Sequence, residues 1–95
     1  MNSIFSVAIP SQVKFGTPFL IEIEYDADHD SVISLAAEFD ADVSPPSLPA
    51  LKGRHKSSGN IKLIDHRNHS QRRTIVVVAQ LGASVARSNG TDASS

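Results

Sequence analysis

Two runs of side chains in this sequence are of the kinds that bind or react, and both are strongly charged. Lys52, Arg54 and Lys56 alternate with Gly53 and His55 in one short run, and Arg67, Arg72 and Arg73 gather with His66 and His69 in another. Arginine forks and lysine ammonium groups at this density suit sulfate, carboxylate or phosphate groups, provided the two runs meet at one end of the fold. The alternative is two solvated basic loops that pair with acidic residues of the same chain. The opposite charge is concentrated in Asp26-Ala27-Asp28-His29-Asp30, where carboxylates on alternate residues offer the oxygen ligands that Ca²⁺ prefers. As a helix–loop–helix calcium loop the run fails, because Ser31 stands where a glycine turn is needed and Ala37 where a bidentate glutamate belongs. Asp26, Asp28 and Asp30 are therefore a weak calcium candidate, with a turn kept polar for solubility as the alternative.

Catalytic equipment is sparse. His66 and His69 stand three residues apart with Asp65 beside them, but that spacing in a loop fixes no geometry and no third ligand lies near in sequence. The chain has no cysteine, which excludes Cys-based zinc sites, thiol nucleophiles and disulfide staples together. No nucleophile elbow or glycine-rich oxyanion loop accompanies its many serines, so a non-enzyme without cofactor is expected. Asn68-His69-Ser70 and Asn89-Gly90-Thr91 satisfy the glycosylation sequon, which has meaning only in a eukaryotic secretory pathway.

Net charge is −1, and its distribution is more informative than its sum. Residues 1–50 carry eight acids against Lys14 alone, and residues 51–95 carry eight bases against Asp65 and Asp92, so the halves hold −7 and +6. The balance argues against nonspecific nucleic-acid binding. No stretch approaches the ~18 consecutive apolar residues of a spanning helix, so a soluble domain without membrane contact is expected. The first nine residues lack a basic start and a continuous apolar run, which leaves two localisations: cytoplasmic, or secreted as a domain cut from a larger chain.

The elements that must position these residues are strands. Phe5, Val7 and Ile9; Phe19, Ile21, Ile23 and Tyr25; Ile33, Leu35, Ala37 and Phe39; and Ile75, Val77, Ala79 and Leu81 recur with period two. That alternation predicts four half-buried strands with these residues facing the core. Two weaker strands are expected at 13–15 and 61–64, and the Ile75-Val76-Val77-Val78 run, apolar on both faces, predicts a central strand or one covered on its outer side. Residues 40–59, broken by Pro45, Pro46, Pro49 and Gly53, read as a long loop holding at most a short edge strand near 48–52. The polar end predicts a folded unit over 1–87 and a flexible tail or linker over 88–95. A seventh strand is hard to find, so an unpaired sheet edge is expected.

Six to seven short antiparallel strands with regular turn signals predict an all-β, small immunoglobulin-like β-sandwich. The successive segments Val-Ala-Ile-Pro-Ser-Gln-Val from Val7, Phe-Gly-Thr-Pro-Phe from Phe15, Ile-Glu-Ile-Glu-Tyr-Asp-Ala-Asp-His-Asp from Ile21 and Val-Ile-Ser-Leu from Val32 resemble the first strands of bacterial immunoglobulin-like modules. Such modules are often appended to secreted polysaccharide-degrading enzymes. The resemblance implies a carbohydrate-binding or spacer role. With no tryptophan and one tyrosine, ring stacking on neutral sugars is disfavoured, and the basic second half points to an anionic polysaccharide held by Lys52, Arg54, Lys56, Arg67, Arg72 and Arg73. The rival expectation is a protein–protein module, including a homodimer, that joins charge-complementary halves and an open edge strand.

Overall fold

Apolar residues on alternate positions force their strands into sheets that bury one face, and nine strands form among the described residues. The computed structural model describes residues 2–38, 41–65 and 74–92. They are β1 (Ser3–Ala8), β2 (Gln12–Val13), β3 (Phe19–Ala27), β4 (Ser31–Ala37), β5 (Ala41–Ser44), β6 (Ser47–Ala50), β7 (Gly53–Asp65), β8 (Thr74–Leu81) and β9 (Ser84–Asp92). One sheet runs β1-β3-β7-β5 and the other β2-β9-β8-β4-β6. Every pairing is antiparallel except β2 with β9, which is parallel.

The inner faces of the two sheets meet in one apolar core, an arrangement compatible with a β-sandwich. Ile21, Ile23 and Tyr25 of β3 and Ile61 and Leu63 of β7 come from one side, and Ile33 of β4 and Ile75, Val77, Ala79 and Leu81 of β8 from the other. Fully burying one such aliphatic side chain is worth about 1.5–3 kcal/mol, so these two stripes supply most of the drive to fold. The phenol of Tyr25 stays inside because its oxygen accepts the Leu51 amide at 2.8 Å. The expected central strand is β8, flanked by β9 and β4.

Several expectations give way. Phe5, predicted to face the core, is half exposed at 50%. A bulge shifts the β1–β3 register between Ile4 and Ser6, so Ile4 and Val7 both pack inward and the phenyl ring between them turns out. The expected long loop over 40–59 contains β5, β6 and the first part of β7, with a cis Ser44–Pro45 peptide between the first two. β7 is a thirteen-residue strand, far longer than its predicted end at 61–64. At about 3.3 Å per residue it accounts for the 42 Å long dimension of the molecule. The strand missing from the count is β9, which runs through 84–92 and takes in most of the segment expected to be a tail. It forms a hairpin with β8 through Gly82 and Ala83, with Gly82 at φ +59°. Phe39, the last inward residue predicted on β4, lies outside the described residues.

Candidate functional site

The two sheets present outer faces of opposite character. On the four-stranded sheet, alternation turns Glu22, Glu24 and Asp26 of β3 outward, and register sets Glu24 opposite Lys56 and Asp26 opposite Arg54 of β7. Lys56 Nζ reaches diagonally to Glu22 Oε2 at 2.7 Å. Its pKa is raised, first by that hydrogen bond and then by the charges of Glu22 and Glu24. The Arg54 guanidinium lies 4.5 Å from the centre of the Phe5 ring, the residue that the β1 bulge turned outward. Acidic and basic halves of the sequence are thus interleaved within one sheet of one chain.

The five-stranded sheet shows few charges. β8 turns Thr74, Val76, Val78 and Gln80 outward, and β4 adds Val32, Ser34 and Ala36. Charge enters at the centre through Arg87 of β9 and Glu38 just beyond β4, whose Nε and Oε1 are 3.3 Å apart. Val32 opposes Pro49 across the β4–β6 ladder, and Val32, Leu51 and Val85 are 55%, 59% and 46% exposed.

A third feature is the edge of β7. On one side Gly53–Ile61 pair along β3, while on the other β5 covers only Lys62–Asp65. Beside the uncovered stretch lies a groove of about 410 Å³ lined by Tyr25, Pro49, Leu51, His55, Lys56, Ser57 and Ser58. Ser57 Oγ donates to the Pro49 carbonyl at 3.3 Å, tying β7 to β6 across the sheets. His55 Nε2 lies 2.9 Å from the Lys52 carbonyl oxygen, and its ring sits 6.2 Å from that of Tyr25. A second depression of about 500 Å³ lies between β4 and β5 and carries Asp42 as its charged residue.

The predicted ligand residues fall as follows. Arg54 and Lys56 share the outer face of β7, and exposed Lys52 precedes that strand, its amide donating to Asp30 Oδ1 at 2.7 Å. Arg54 and Lys56 are thus strand residues, and Lys52 alone lies in a connection, the two-residue link between β6 and β7. Arg67, Arg72 and Arg73, with His66 and His69, lie outside the described residues. The calcium candidates are not gathered: Asp26 stands on the β3–β7 ladder, Asp30 holds the Lys52 amide, and the Asp28 amide donates to Asn2 Oδ1. Among the described residues, no three His, Asp or Glu side chains are grouped to hold a metal ion. Sequence reasoning missed Phe5, Val32, Pro49 and Leu51 as surface features. The signal for the β7 edge was the period-two spacing of Arg54 and Lys56.

No family model, curated protein or solved structure matches the chain.

Proposed function

We propose that this domain is a non-catalytic immunoglobulin-like β-sandwich that acts as a protein–protein interaction module. Strand order supports the immunoglobulin-like part: β1-β3-β7-β5 follows the A-B-E-D sheet, and β9-β8-β4 the G-F-C sheet. It departs from that pattern where β5 precedes β6, so the chain visits the edge of the four-stranded sheet before the edge of the five-stranded one.

One observation carries the interaction reading. Lys56 and Arg54 are matched by Glu22, Glu24 and Asp26 of the neighbouring strand, whereas the five-stranded sheet exposes valines and few charges. Interface centres are depleted of charge, and a cationic patch already neutralised at contact distance attracts a polyanion weakly. The reading as an accessory module for anionic carbohydrate then rests on Lys52 and on Arg67, Arg72 and Arg73.

The deciding experiment sets polypeptide against polysaccharide ligands. The immobilised domain is used to select from a displayed library of random peptides and, in parallel, is tested for retention by sulfated, carboxylated and neutral polysaccharides at low and moderate salt. Enrichment of related peptides that bind the soluble domain saturably is the expected result. Salt-sensitive retention by polyanions with no peptide enrichment overturns it.

A further inference from the structure

We draw no further inference here: the strongest candidate, the valine-bearing outer face of the five-stranded sheet around Val32, Val76 and Val78, carries none, because the Arg87–Glu38 ion pair on it is closed within the chain and nothing in the structure shows what covers it.

Discussion

Arg87 Nε and Glu38 Oε1 meet at 3.3 Å across the outer face of β8, joining β9 to the end of β4 over the central strand. The pair lies over Val76 and Val78, which β8 turns outward and which are only half exposed. Register sets Arg87 opposite Val78, a position from which the aliphatic stem of an arginine can shield apolar surface.

That arrangement separates charge from coverage. Glu38→Gln removes the charge and keeps most of the shape, and exposed ion pairs contribute about 0–1 kcal/mol, so its cost in urea denaturation is expected to stay below about 0.5 kcal/mol. Arg87→Ala also removes the stem opposite Val78 and is expected to cost roughly 1 kcal/mol. Equal costs would show that the stem contributes no packing.

The Lys56 ammonium is held by Glu22, with Glu24 opposite, and its pKa is raised accordingly. A raised folded-state value gives a contribution to stability that is fully present below the unfolded lysine value of about 10.4 and lost as pH rises through the folded value. Side-chain NMR titration is expected to place Lys56 above the ordinary lysine value, and Glu22→Gln to bring it back toward that value. An unchanged titration in that variant would show that the hydrogen bond is not the cause.

The bulge in β1 reverses the ranking that simple alternation gives to Ile4 and Phe5. Ile4→Ala is expected to cost about 2 kcal/mol, the low end for a large-to-alanine change, because the side chain is only partly buried. Phe5→Ala loses half a ring of contact and the stacking of Arg54 and is expected to cost about 1 kcal/mol. Chemical denaturation of the two variants decides the register.

Gly82 occupies φ +59° in the two-residue hairpin, and a β-carbon there would come within 2.6 Å of the Asn2 amide nitrogen. Gly82→Ala is expected to lower stability by about 1–2 kcal/mol, from left-handed strain and displacement of Asn2. Gly16→Ala shares the positive φ at +78° but meets nothing, so it isolates the backbone part of the cost.

The strands legible in the sequence were those whose inward residues are large. Ile21, Ile23 and Tyr25 in β3 alternate with Glu22 and Glu24, and the β-branched run from Ile75 marks β8 although Val76 and Val78 make its outer face apolar as well. Ile21, Ile23, Tyr25, Ile75, Val77, Ala79 and Leu81 form the core as expected. β9 was invisible because Ser84, Ala86, Ser88 and Gly90 take the less exposed positions, and all are small. The reason is crowding: the Ile4 amide donates to Ser84 Oγ, and a β-carbon at Gly90 would stand 3.1 Å from the Pro10 carbonyl oxygen. The first half of β7 was hidden likewise, since Gly53, His55, Ser57 and Gly59 fill the positions that Ile61 and Leu63 occupy further on. β5 and β6 are four residues each, set among prolines, too short for a period to register. At the surface, the basic residues were legible as a group but not as neighbours of β3, because cross-strand pairing follows from register and not from sequence distance.

The parallel pairing of β2 with β9, Gln12 beside Thr91, has a mechanical consequence. Strands that run in the same direction and lie at opposite ends of a chain are sheared when that chain is pulled from both sides, so their bonds are loaded together and not one after another. The Ser11 carbonyl oxygen, which accepts the Thr91 amide at 2.9 Å, stands in the same line of force. Stretching the domain end to end therefore loads this short clasp in shear, alongside the β1–β3 pairing that precedes it in sequence and the Thr74–Thr91 end of the β8–β9 ladder, so the two residues of β2 act as a latch between the strands on either side of them.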